Sequence, residues 1–362
     1  MVALLTVACS SENGGQAPAS PGADAGHGST TPDGGSGEDG SSPAPSNVPG
    51  RYTHTPEVDG MSREVIVYVP EKARGTTPVP VVFMLHGTAQ TGEQFFEISQ
   101  WKELADEQGI IAVFPTALTY CHYDDDNHDG VFPPSERVVV TKWASGKLGG
   151  TTRPLCTAEE VAALAPDKRA LADHPLEDDV KFIDTILDLL SASYAVDAKR
   201  IYASGFSNGA EMTGRLAAER SNRFAAIGCA ASVLSVDPPP LDAPVSVVFS
   251  VGEDDPKMGD LMDASPIPLT ESLITTNTKF ANGFVRPFLT LGKLDQEYTY
   301  SAPTIAGMKT SQFFFTKSLA GRKNTFRAVI IEKAIHEYPN GINHPIRIAA
   351  ALWEFFKLEA LP

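Results

Sequence analysis

The chain has 362 residues, 42% hydrophobic and 20% charged, which suits a folded core and excludes a fibrous or wholly disordered protein. Its formal net charge of −16 and pI near 4.9 argue against a nucleic-acid partner, which requires a basic surface to displace counterions from phosphates. The same acidity disfavours adsorption to anionic lipid through charge.

Met1 to Ala8 is a short apolar run, too short to span a bilayer. It reads as the end of a signal-peptide core with a small-residue cleavage site before Cys9. Thr6-Val7-Ala8-Cys9 resembles a bacterial lipobox, in which the cysteine is lipidated after cleavage. That resemblance implies an exported protein, anchored at the bacterial envelope or secreted, whose only membrane contact is a lipid at Cys9. The alternative is a disordered terminus with an incidental cysteine. Ser10 to about Gly50 is rich in Gly, Ser, Ala, Pro and Asp, cannot offset its chain entropy by burial, and reads as a flexible tether. The expected organisation is a signal remnant over 1–8, a lipidated cysteine and tether over 9–50, and one catalytic domain over 51–362.

Within that domain, β-rich runs alternate with helical ones. Arg63–Val69 alternates apolar and polar residues, and Val79–Leu85 is apolar throughout, as expected of a strand buried on both faces. Phe95–Gln108 has helical spacing and stops at Gly109; Ile110–Phe114 is the next buried strand. Asp178–Leu190 reads as a helix, Arg200–Ser204 as a strand, and Gly209 to Ala218 as a helix. Ala225–Ala231, Val245–Val251 and Phe326–Ile331 complete the strands, and Pro345–Phe356 closes the chain as a helix. The alternation predicts a mainly parallel sheet with helices on both faces. Residues 116–175 and 256–324 do not fit it and read as insertions at the C-terminal edge of the sheet, where such folds place ligands.

Gly205-Phe206-Ser207-Asn208-Gly209 carries the chemistry. Gly-x-Ser-x-Gly is common by itself, but here a strand leads into it and a helix leaves it, as in the elbow that exposes a nucleophilic serine. A serine hydroxyl is a weak nucleophile and needs a base oriented by a carboxylate, expected in the order Ser, acid, His. Asp255, three residues beyond Gly252, is the expected acid, with Asp254 and Glu253 as alternatives. His336 is the expected base, since it lies nearer the last strand than His344. Backbone N–H groups of Asn208 and of Thr88, in Leu85-His86-Gly87-Thr88, are the expected oxyanion donors.

These residues carry a family resemblance. From about Met61 to Leu358 the chain resembles the α/β-hydrolase esterases of the polyhydroxybutyrate depolymerase-like and feruloyl or acetyl xylan type. The strings are Ser62-Arg63 to Pro70, His86-Gly87-Thr88-Ala89-Gln90, Glu177 to Val180 with Phe182-Ile183, and Val196-Asp197 with Arg200 to Tyr202. Gly205 to Ala210, Arg223 to Ala226, His336 to Gly341 and Trp353 to Phe356 complete them. The resemblance implies Ser207, Asp255 and His336 as a triad, Thr88 and Asn208 as the oxyanion hole, and feruloyl, acetyl or hydroxyalkanoate esters as substrates. Many relatives have a cysteine where Thr88 stands. A serine peptidase of the same fold and an inert surface-binding lipoprotein are the rival readings.

Gln90, Trp143 and Tyr338 are candidate substrate contacts; Trp143 alternatively pins its insertion to the core. No organic cofactor is implied. Asp125, Asn127, Asp129 and Glu136, spaced around Gly130, match a calcium loop, against which stands an acidic solvated loop interrupted by Pro133 and Pro134. With Cys9 as anchor, Cys121 and Cys156 flank a polar insertion and are candidates for pairing, and Cys229 is expected as a buried thiol.

Overall fold

The computed structural model of the chain describes residues 45–124, 129–234, 244–321 and 323–362. An eleven-stranded sheet runs through the described residues. Its strands are β1 (Gly50–His54), β2 (Val65–Val69), β3 (Val79–Leu85) and β4 (Ile111–Pro115). A hairpin, β5 (Thr119–Tyr123) and β6 (Arg137–Thr141), stands outside the sheet. The sheet resumes with β7 (Val196–Phe206), β8 (Ala226–Ala230), β9 (Ser246–Gly252), β10 (Thr299–Ser301), β11 (Met308–Phe315) and β12 (Phe326–Ile331).

The spatial order is β1-β2-β4-β3-β7-β8-β9-β12-β11-β10, with Thr304–Ile305 also paired to β11. Pairs from β4 through β12 are parallel, and both margins are antiparallel. The central strands are buried on both faces, which is why they read as continuous apolar runs. On one face, α2 (Trp101–Gln108) and α6 (Ile348–Phe356) meet: Trp101 and Tyr202 both stack on Phe356. On the other, Phe83 meets Phe224 edge-on. There α3 (Asp179–Ser193) is tied to α4 (Asn208–Glu219) by Arg220 and Asp184. The mainly parallel sheet with helices on both faces, expected from the sequence, is the α/β-hydrolase fold.

Three local expectations are corrected. Phe95–Gln108 is two helices, α1 (Gly92–Ile98) and α2, because Gln100 takes a left-handed φ of 65° that breaks the hydrogen-bond ladder. Thr91 supplies a capping box for α1, so that helix starts before Phe95. Residues 256–324 begin as an excursion at the C-terminal edge, with α5 (Pro256–Met262), but end by adding β10 and β11 to the sheet margin.

The chain enters β1 at the opposite edge. Asn47 exchanges backbone hydrogen bonds with Gly75, and its side chain pairs with both backbone groups of Ala195, immediately before β7.

Candidate active site

The elbow is built by close backbone contact. Ser207, between β7 and α4, has φ 51° and ψ −121°, a conformation that persists only where its surroundings over-determine it. A Cβ on Gly205 would lie 2.2 Å from Gly209 O, and one on Gly209 would lie 2.2 Å from Leu85 O. Both positions therefore exclude a side chain, and α4 starts hard against the end of β3.

His336 and Asp255 converge on the serine from two other strand ends. Ser207 Oγ lies 3.0 Å from His336 Nε2, and His336 Nδ1 lies 2.8 Å from Asp255 Oδ2. A buried carboxylate can only accept, so Nδ1 carries the proton and Nε2 is free to accept from Ser207. Asp255 is 1% exposed, and its Oδ1 also accepts from Met258 N–H as the N-cap of α5. His336, 14% exposed, leans on Phe206, their ring centres 5.2 Å apart. The alternatives are otherwise engaged. Asp254 faces solvent, and Glu253 accepts from Lys333 N–H. His344 is buried, with Nε2 bonded to Glu332 O and Nδ1 to Ile346 N–H.

The Thr88 loop is shaped from behind by His86. Its Nδ1–H donates to Gly87 O at 2.7 Å, and its Nε2 accepts from Ala117 N–H. Burial pushes the imidazole down to about 4, so it is neutral and structural. Ala89 N–H donates to Thr141 O, and Thr141 Oγ–H donates to Gln90 O, so β6 braces the loop from outside. The N–H groups of Thr88 and Asn208 donate to no protein acceptor among the described residues, which leaves both for a ligand oxygen.

The expected substrate contacts fare differently. Gln90 turns its side-chain oxygen back to Gly87 N–H, so it holds the loop. Trp143 does not line a cleft: it is fully buried, its Nε1–H donates to His86 O, and its ring lies on that of His86. Tyr338 is also buried, because its hydroxyl finds an internal partner in Trp101 Nε1–H and its ring meets Phe95 and Phe206. Both aromatics are supports of the site. Of the calcium-loop residues, Asp125 and Asn127 lie outside the described residues, and Asp129 accepts from Val131 N–H. Cys9 lies outside them too. Cys121 and Cys156 form a disulfide with Cα atoms 5.4 Å apart, and Cys229 is buried, its thiol pushed up by burial.

Two further acids are buried beside the site. Asp179 is fully buried between Arg63 Nη2, at 2.6 Å, and the N–H of Ala144, joining the domain to the insertion. Arg63 lies over Phe182, its guanidinium carbon 4.0 Å from the ring centre. Glu211, also buried, sits in the first turn of α4 beneath Asn208. The only sequence signal was an acid placed among small and apolar residues, as in Gly209-Ala210-Glu211-Met212.

No family model matches the chain. It is 25% identical over 185 residues to feruloyl esterase B of Thermothelomyces thermophilus, covering 48% of each. It is 23% identical over 167 residues, 46% of this chain and 17% of the other, to a bifunctional acetylxylan esterase/xylanase of Neocallimastix patriciarum. The chain thus spans about half or less of the length of these curated relatives. Among solved structures it is similar to an acetyl xylan esterase from Aspergillus awamori, at 13% identity and a TM-score of 0.48 over 85% of this chain and 99% of that one. By its strand order and its elbow the chain has the α/β-hydrolase fold, and its sequence resembles the feruloyl and acetylxylan esterases.

Proposed function

We propose that this protein is a serine esterase that hydrolyses carboxylic esters through an acyl-enzyme. The observation that carries the reading is the continuous relay Ser207 Oγ, His336, Asp255, with contacts of 3.0 and 2.8 Å. Ser207 attacks the ester carbonyl while His336 Nε2 takes its proton, and Asp255 stabilises the imidazolium and fixes its tautomer. The carbonyl oxygen, now negative, accepts from Thr88 and Asn208 N–H. His336 returns the proton to the departing alcohol, then activates a water that releases the acid and frees Ser207. No organic cofactor enters these steps.

Feruloyl or acetyl groups on polysaccharide and hydroxyalkanoate oligomers are the proposed substrates, supported by the resemblance of the sequence. Export, with a lipid on Cys9, is proposed from the Thr6–Cys9 string; among the described residues no helix is long and apolar enough to cross a membrane. The test is p-nitrophenyl acetate turnover by purified protein, with fluorophosphonate labelling of Ser207. Ser207→Ala should abolish both. Near wild-type turnover by that variant would refute the reading.

A further inference from the structure

The side chain of Asn208 makes a set of contacts that its backbone role does not require. Its Oδ1 accepts from Trp143 N–H at 2.6 Å. Its Nδ2 reaches Glu211 Oε2 at 3.2 Å and Ser145 Oγ and Trp143 O at 3.3 Å each. Ser145 Oγ–H donates to the same Glu211 oxygen at 2.9 Å. Resting on the esterase reading above, we infer that Glu211 is a positioning residue for the oxyanion hole, acting through Asn208.

The physical argument has two parts. The direction of the Asn208 N–H is set by the peptide that follows Ser207, the strained residue of the elbow. Such a conformation relaxes unless neighbours hold it, and an amide fixed at both its oxygen and its nitrogen is an effective hold. Glu211 and Trp143 grip Asn208 from opposite partners, one on α4 and one on the insertion.

A carboxylate so near the oxyanion would by itself oppose the charge that develops there. The insertion answers this: Lys147 Nζ lies 3.4 Å from Glu211 Oε1, and Arg153 Nη1 lies 3.6 Å from Oε2. Arg153 also contacts Asp124, which pairs with the buried Lys142. Burial alone would raise the Glu211 carboxyl, but Lys147 and Arg153, with the hydroxyl of Ser145 and the amide of Asn208, hold it below the ordinary range. The disulfide lies three residues beyond Arg153, at Cys156, and fastens that segment to β5. Glu211 is thus an ionised anchor whose charge is compensated and whose hydrogen bonds remain.

The experiment measures kcat and KM per fluorophosphonate-titrated site, together with affinity for a trifluoromethyl ketone whose adduct places an oxyanion in the hole. Glu211→Ala should lower kcat about tenfold or more and weaken the ketone in step, with KM changed less than about twofold. Glu211→Gln, which keeps an acceptor for Asn208 and Ser145, should recover most of the loss. Lys147→Ala/Arg153→Ala, which leaves the acid uncompensated, should lower kcat while the titrated fraction stays high. Wild-type kcat in Glu211→Ala, or a loss confined to the titratable fraction and the melting temperature, would overturn the role while leaving the esterase reading intact. Absence of turnover and of labelling in the wild type would overturn both.

Discussion

Gly209→Ala tests the elbow directly. The added methyl would lie 2.2 Å from Leu85 O and 2.4 Å from His86 O, whereas real Cβ atoms essentially never approach closer than 3.0 Å. Both obstacles are backbone, so relief requires α4 and the end of β3 to part by on the order of 1 Å, a misplacement that can lower turnover about a hundredfold. The move separates Thr88 on one side from Asn208 and Ser207 on the other, so chemistry should suffer more than folding. Overpacking of this kind destabilises by about 1–3 kcal/mol. Gly214→Ala is the control on the same helix: its methyl would meet Leu234 Cδ1 at 2.6 Å, the movable end of a side chain. The assay is p-nitrophenyl acetate turnover per titrated serine, alongside thermal melting. Turnover within twofold of wild type in Gly209→Ala, or equal losses in both variants, would refute the reasoning.

Asp255→Asn should leave the site assembled but present the wrong His336 tautomer, lowering kcat by about four orders of magnitude; a loss below tenfold would remove Asp255 from the relay. His86, held at about 4 in the folded chain against 6.5 as its ordinary value, stays neutral where the unfolded chain takes up a proton. Its contribution is therefore complete above pH 6.5 and declines by about 3 kcal/mol as pH falls towards 4. Denaturant melts of wild type and His86→Asn at pH 7.5 and 4.5 should converge at the lower pH if this holds. Replacing Cys121 and Cys156 by serine removes a link across 35 positions and should destabilise the insertion by about 3–4 kcal/mol, read as faster proteolysis of residues 116–175.

What the sequence revealed follows from how local each signal is. The Ser207 elbow is a five-residue motif between a strand and a helix, and Asp255 and His336 follow in the order the fold requires, so all three could be named before they were seen to meet. For Trp143 the core-pinning alternative holds, and Tyr338 is likewise a core residue; an aromatic residue in a loop has the same letter whether it faces a ligand or a core partner. Their hydrogen-bond partners, His86 and Trp101, are distant in sequence. Met308–Phe315 does not read as a strand because Lys309, Thr310, Ser311 and Gln312 lack apolar alternation, although Thr310 to Gln312 are buried by pairing with β12. The sequence assigns Arg63, Asp179 and Glu211 no partners, and only tertiary contact shows them paired inside. Local chemistry was legible; mutual burial was not.

The clasp of Asn47 on Ala195 has a directional consequence. β7 rises from that point for eleven residues and delivers Ser207 at its far end, a climb of roughly 35 Å. Asn47 therefore lies at the opposite end of β7 from Ser207. A surface set against the Asn47 end of β7 would leave Ser207 on the side facing away from it. One strand thus sets the entry of the described chain and the serine of the elbow a full molecular layer apart.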